Sequence, residues 1–326
     1  MSVSSADINA NPIARIAGIA AHHRVLAVLA VLLVFPFVLP YEALAANILI
    51  YGLFALGFNL VFGYTGVLSF GHAAFFGIGA YGTGIAIVHF GLPWFAAIPI
   101  GVVAAGITAM IMGALAIRTR GIYFAMVTLA LAQCVYYIVY QLDGWSGGED
   151  GLTGVSVRDV DLGFVHFSLF DPTAKYFFIL GFVAVAIYLF SRLLASPFGA
   201  VLEAIRENEN RARACGYDVR LTKWMAFVIS GLFCGLAGAL NAIHLSVVPI
   251  EVLHYHMSGQ VVMMALLGGM GTFFGPFIGA VVFLLLEDTV TSMTSHWQLI
   301  LGLVFMACVL FFPRGVWGSI LQWLRR

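Results

Sequence analysis

Long charge-free apolar runs follow one another along this chain with few interruptions, and a polypeptide so patterned folds with lipid rather than water around it. A helix needs about 20 apolar residues, rising about 1.5 Å each, to cross about 30 Å of hydrocarbon. Runs of that order lie at approximately 25–40, 45–63, 68–89, 94–117, 122–141, 175–194, 223–246, 257–272, 274–288 and 297–313. Several are short, which sets the expected count at eight to ten. Only 9% of the 326 residues are charged and 62% are hydrophobic, the composition of a membrane protein rather than of a soluble one. The expected fold is an all-α polytopic membrane protein of about ten helices.

The basic residues set the expected orientation, because cytoplasmic loops carry the excess of Arg and Lys. Arg15 and Arg24, then Arg118 and Arg120, then Arg192, Arg206, Arg211, Arg213, Arg220 and Lys223, and finally Arg314, Arg325 and Arg326 are placed inside. The loop 142–174 carries Asp143, Glu149, Asp150, Asp159, Asp161 and Asp171 against Arg158 and is placed outside, with a small hairpin expected from Val155, Val157 and the 164–167 run. Span parity then leaves both termini cytoplasmic. Residues 1–24 read as a cytoplasmic tail, 25–314 as a single transmembrane domain and 315–326 as a second tail. The start is not read as a signal peptide, since no small-residue cleavage signature precedes Tyr41.

Two segments are too rich in glycine for ordinary helices, where each Gly costs about 1 kcal/mol relative to Ala. One is GYTGVLSFGHAAFFGIGAYGTG at 63–84, the other LLGGMGTFFGPFIGA at 266–280. Small residues let helices approach to backbone contact, while broken backbone at membrane depth is tolerated where protein buries it or a cavity borders it. Tight packing and a sliding conduit wall both fit this pattern. Gly77, Gly79, Gly268, Gly269, Gly271, Gly275 and Pro276 are the candidate packing or hinge positions.

The sharpest feature is the charged stretch 195–222, ASPFGAVLEAIRENENRARACGYDVRLT. Ser196 and Pro197 suit an N-cap and first helical position, and Gly216 suits a stop, so one helix over about 199–214 is expected. Glu207 with Arg211 and Glu209 with Arg213 are spaced to pair at i,i+4. Val201, Leu202, Ala204 and Ile205 form an apolar patch ringed by charge, which fits a groove on a soluble partner better than a lipid surface.

Other chemistry is thinly represented. No GxxxxGK[ST] exists, and with lysine only at 175 and 223 none can be hidden, so energy from ATP must come from another chain. No GxSxG, HExxH or paired buried carboxylates point to an enzyme, the dispersed cysteines and histidines define no metal site, and no basic surface suits nucleic acid. Asn59, Tyr64, Ser69, His72, Gln133, Asn241 and Gln260 are polar groups in apolar spans, and each is a candidate either for a solute path or for knitting helices together.

These motifs, with RTRGIYFAMVTLALAQ at 118–133, GGEDGLTGV at 147–155 and LEAIRENENRARACGYD at 202–218, resemble the LivM-type permease subunit of branched-chain amino-acid ABC importers over about 40–315. The resemblance implies an importer permease fold with Gly-rich broken helices, in a bacterial inner membrane. It implies a LivH-type sister permease, two cytoplasmic ATP-binding subunits that hold ATP and Mg, and a periplasmic solute-binding protein. This chain is then a non-catalytic subunit without a cofactor of its own. Glu203, Ala204, Ile205, Arg206, Glu207, Asn208 and Gly216 are implied to couple to the ATP-binding subunits, similar to the EAA loop of importers, although Ile205 replaces an alanine and no closing Leu-Pro follows. Urea and short-chain amide permeases share the wider group, and a passive channel or a secondary carrier is the alternative from a different class.

Overall fold

The computed structural model describes residues 32–33, 35–36, 41–155, 160–161, 166–167, 171–294, 296–311 and 315. The expected span 25–40 therefore lies almost entirely outside the described residues. The principal helices are α1 (Glu42–Thr65), α2 (His72–Val88), α3 (Trp94–Ala116), α4 (Ile122–Gln141), α5 (Pro172–Leu194), α6 (Pro197–Glu207), α7 (Glu209–Ala214), α8 (Val219–Leu245), α9 (Tyr255–Gly268), α10 (Gly275–Met293) and α11 (Trp297–Phe311). Among the described residues, six of them (α1, α3, α4, α5, α8 and α10) are long and apolar enough to cross a membrane. The chain is a multi-pass helical membrane protein.

Two expected spans come out shorter than their apolar runs. The run 68–89 becomes the 17-residue α2, because residues 66–71 leave the helix after Gly66 turns left-handed at φ 73°. The run 257–272 becomes the 14-residue α9, only about 21 Å long, since Gly269 and Gly271 adopt φ 111° and 70° and stop it. The chain restarts at Gly275, with Pro276 in the first turn of α10. The break expected here is thus present, and Pro276 sits just after it at a helix start, where a missing N–H leaves nothing unpaired.

Almost all of α1 is buried, and α5, α6, α8, α9 and α10 pack around it, while α2 meets it through the rings of Tyr51, Phe54 and Phe58. Glycine makes the closest crossings possible. A methyl group at Gly79 would overlap the Gly235 backbone, one at Gly238 the Phe76 carbonyl, and one at Gly101 the Gly79 carbonyl, so α2, α3 and α8 meet backbone to backbone. Gly79 thus serves packing inside an unbroken helix rather than a hinge, and Gly77 likewise receives the Leu253 side chain. The α9–α10 pair is as close: Gly268 faces Gly275 and Gly279 faces Met264, an antiparallel register.

Polar contacts sort the helix ends onto two sides of the bundle. On the first, the Tyr41 hydroxyl donates to Asp288, Thr173 Oγ1 donates to Glu42 at 2.9 Å, and Lys175 Nζ donates to the His244 carbonyl at 3.2 Å. The loop after α4 lies there too. Leu152–Thr153 pairs antiparallel with Val247–Val248, and Trp145 stacks on His89. The hairpin expected in this loop forms between Val160–Asp161 and His166–Phe167, later in sequence than Val155. On the second side, the end of α1 meets the turn between α9 and α10.

Replacing Gly79 with Ala should lower the thermal midpoint of the purified chain in detergent, by an overpacking cost of about 1–3 kcal/mol. At Gly181 on α5 an added methyl meets nothing within 4 Å, so Gly181→Ala should leave the midpoint unchanged or raise it by the equivalent of about 0.5–1 kcal/mol.

Candidate functional site

The charged stretch between α5 and α8 forms a hook on the second side of the bundle. The single helix expected over 199–214 is two helices, because Asn208 turns extended at φ −159° and its side-chain oxygen accepts the Arg211 N–H at 3.0 Å, starting α7 anew. That break separates Glu207 from Arg211, and no ion pair joins them among the described residues. Glu209 instead receives both Arg213 at 3.0 Å and Lys223 at 2.8 Å, tying α7 to the start of α8. Lys223, hydrogen-bonded to the carboxylate, holds Glu209 below its ordinary pKa, with Arg120 and Arg213 adding to the effect against partial burial. Gly216, at φ 90°, ends the hook where a stop was expected, and Asp218 caps α8 by accepting the Leu221 N–H at 3.0 Å.

The apolar patch on α6 is turned inward. Leu202 and Ile205 are buried within the chain, Ile205 together with Ala212 and Val219. Gly199 lets the first turn sit directly on the Leu194 backbone. The expectation that this patch fits a partner's groove is therefore corrected: burial stabilises it inside the protein, and what α6 presents outward is Glu203, Arg206, Glu207 and Asn208, with Ala204 half-buried.

Arg206 reaches from this hook to both glycine turns. A methyl group on Gly66 would lie 3.4 Å from Arg206 Cγ, and one on Gly271 would overlap its guanidinium. The arginine thus lies across the carboxyl end of α1 and the turn that follows α9, where a cation is favoured by the helix dipole. Beneath it, Asn59 of α1 binds the same turn in both directions: its Nδ2 donates to the Thr272 carbonyl at 3.0 Å and its Oδ1 accepts the Gly271 N–H at 3.0 Å. Thr272 closes the turn further, donating to the Gly269 carbonyl at 2.8 Å and accepting the Gly275 N–H at 3.1 Å.

The first glycine turn is held by hydroxyl groups. Phe70 N–H donates to Thr128 Oγ1 at 3.1 Å, Gly71 N–H to Ser69 Oγ at 3.2 Å and Ala73 N–H to Ser258 Oγ at 2.9 Å. His72 Nε2 and Ser230 Oγ are 2.9 Å apart, and Ser230 donates onward to the Gly57 carbonyl at 2.6 Å, so the imidazole donates through Nε2. Phe58, Phe75 and Phe227 set their rings edge-on around it. His72 is fully buried, and it ties α2 to α8 and, through Ser230, to α1.

The candidate path residues do not converge. Asn59, Ser69 and His72 each serve a different local contact, Tyr64 is buried against Phe190, Asn241 is buried on α8, and Gln133 and Gln260 are half-buried on α4 and α9. None of the seven lines the cavity of about 1290 Å³ that opens between the first glycine turn, the α3–α4 turn, one face of α4 and the hook. Four of the candidate coupling residues do: Ile205, Arg206, Glu207 and Asn208. Thr128, Ser230 and Ser258 were missed by sequence reasoning. Amides stand out in apolar runs, whereas single hydroxyls are common there and carry no distinguishing signal.

The family described as branched-chain amino acid transport system, permease component, matches residues 41–312, which include both glycine turns and the hook. The chain belongs to this family. Relatives of this permease include the high-affinity branched-chain amino acid transport permease LivM of Escherichia coli K12, 28% identical over 292 residues, covering 84% of this chain and 69% of that protein. LivM of Salmonella typhimurium is 28% identical over 312 residues, covering 89% and 73%. The probable LivH permease of Methanocaldococcus jannaschii is 23% identical over 303 residues, covering 86% and 92%. No solved structure matches the permease.

Asn59→Ala should unpair the Gly271 N–H and the Thr272 carbonyl, at about 1–3 kcal/mol. The expected readout is faster amide exchange confined to 269–275. The Glu209 clamp has a depressed folded-state pKa, so its contribution is complete above the ordinary 4.5 and is lost as pH falls through the lower folded value. Exchange protection of 209–216, corrected for intrinsic rate, should hold from neutral pH to about 4.5 and fall below it.

Proposed function

We propose that this permease is one of two like-folded transmembrane halves of an ATP-driven, binding-protein-dependent importer of leucine, isoleucine and valine. The observation that carries the mechanism is Arg206, lying at once over Gly66 and Gly271. A push on the exposed face of α6 passes through Arg206 to the end of α1 and to the α9–α10 turn, and the helices that follow these turns shift together. Alternating access follows when two ATP-binding subunits, holding Mg and ATP, close and reopen against Glu203, Glu207 and Asn208.

Identity to relatives named LivM and LivH alike supports a pairing with a LivH-type sister, since both halves then share one architecture. The branched-chain cargo rests on the family and on those relatives, with a periplasmic binding protein delivering it. In this reading the hook side is cytoplasmic: six cations cluster there, both termini face it, and about ten helices cross the membrane of a bacterial cell. Selectivity resides mainly in the binding protein, in keeping with path residues that do not converge on one site.

The test is Glu203→Arg, an exposed change that leaves the buried face of α6 untouched. Membrane insertion should be preserved, while both ATP-binding subunits are lost on purification, as expected when an interface contact worth about 2 kcal/mol or more is reversed. ATP-driven leucine uptake in vesicles should fall to the nucleotide-free background. Retention of both subunits with full uptake would overturn the role given to the hook, and uptake by this chain alone without nucleotide would overturn the importer reading.

A further inference from the structure

We propose that the cavity behind the hook is a headgroup site for an anionic glycerophospholipid, whose phosphate lies among Arg118, Arg120, Arg206 and Arg220 while an acyl chain runs along α4. Six cations and two carboxylates line the cavity. Glu209 is engaged by Arg213 and Lys223, and among the described residues no ion pair engages Arg118, Arg120, Arg206 or Arg220. Four guanidinium groups thus border one volume with only Glu207 left to oppose them. Guanidinium groups bind phosphate oxygens in bidentate fashion and more readily than ammonium groups do.

One side of the cavity is the apolar face of α4, through Ile122, Phe124, Ala125, Met126, Leu129 and Ala130. Ile122 and Met126 are 72% and 62% exposed, so this wall continues without a break onto the outer surface of the bundle. A free phosphate has no use for such a wall, whereas a lipid needs both a cationic end and an apolar track leading to the bilayer. Residues 117–121 connect two helices of spanning length, α3 and α4, which places the arginines at a membrane boundary where lipid phosphates lie. Basic pockets between helices on the cytoplasmic side are a recurring mode of headgroup recognition. The cavity's volume of about 1290 Å³ also exceeds the 300–1,000 Å³ usual for small-molecule pockets and is larger than one branched-chain amino acid requires.

The site goes beyond the transport reading and does not depend on the cargo. Its consequence for that reading is direct, because the lipid phosphate would hold the same Arg206 that lies across both glycine turns.

The experiment uses the full chain, purified in mild detergent with the subunits that remain bound, and phosphatidylglycerol as the probe. Native mass spectrometry should find phosphatidylglycerol retained in preference to phosphatidylcholine of the same chain length. The double variant Arg118→Gln with Arg120→Gln should lower that retention by about tenfold or more, with its thermal midpoint in zwitterionic detergent unchanged. Independently of any variant, a spin label on the acyl chain of phosphatidylglycerol should broaden signals from Ala125, which lines the cavity but is buried from the bulk bilayer, in the unaltered protein in nanodiscs, and the same label on phosphatidylcholine should not. Excess inorganic phosphate, or excess leucine, should leave the bound lipid in place. Equal retention of the two lipids, displacement by inorganic phosphate or leucine, or broadening by both labels would each overturn the proposal.

Discussion

Inside a bilayer every backbone N–H and C=O must find a partner within the protein, and the architecture follows from how two glycine turns meet that demand. The turn after α1 exposes its amides to Thr128, Ser69 and Ser258, and the turn after α9 is bonded in both directions by the amide of Asn59 and closed by Thr272. Without those side chains the turns would leave backbone groups unpaired where protein covers them. With them, the breaks become fixed points from which α2 and α10 start, and the short α9 can end without spanning the full depth. Glycine contributes twice, since the same residue type that permits the left-handed turns lets α2, α3 and α8 meet at backbone distance.

Much of this was legible in the residues, to a degree set by how local the cause is. Apolar runs located the long helices because length and hydrophobicity act within one segment. Glycine density located both breaks for the same reason. The exact extent of α2 and α9 was not legible, as each depends on a turn closed by side chains distant in sequence; the Asn59 contacts to Gly271 and Thr272 span more than two hundred residues. The hook was found by its charge, but its internal structure was misjudged. Asn208 reads equally well as a helix-interior residue of a charged helix and as a cap, and only its extended backbone shows which applies. The patch of Leu202 and Ile205 was assigned to a partner because a single sequence cannot tell an apolar face that docks outward from one that docks onto its own chain.

The candidate path illustrates a different limit. Polar residues in apolar spans are candidates because each requires a partner, and for three of the seven the structure supplies one within the fold: Asn59 holds a turn, Ser69 caps a neighbouring amide, and His72 hands a hydrogen bond to Ser230. Requirement for a partner is a property of the group alone, while contact with a solute depends on shape. Of the side chains that do border open space, Arg206 was legible as a coupling residue through the family resemblance, and Arg120 only as a topology signal.

The enclosure of α1 bears on how the protein is made. A helix so enclosed by its neighbours has little surface left for lipid in the finished molecule, so contact with lipid in the folded state does not account for its greasy composition. It serves the moment of biogenesis, when the nascent segment leaves the translocon before most of the helices that will enclose it have been synthesised. Each of its residues is therefore selected twice, first for partitioning out of the translocon and later for close assembly, and a polar change there is felt at insertion before packing is ever reached.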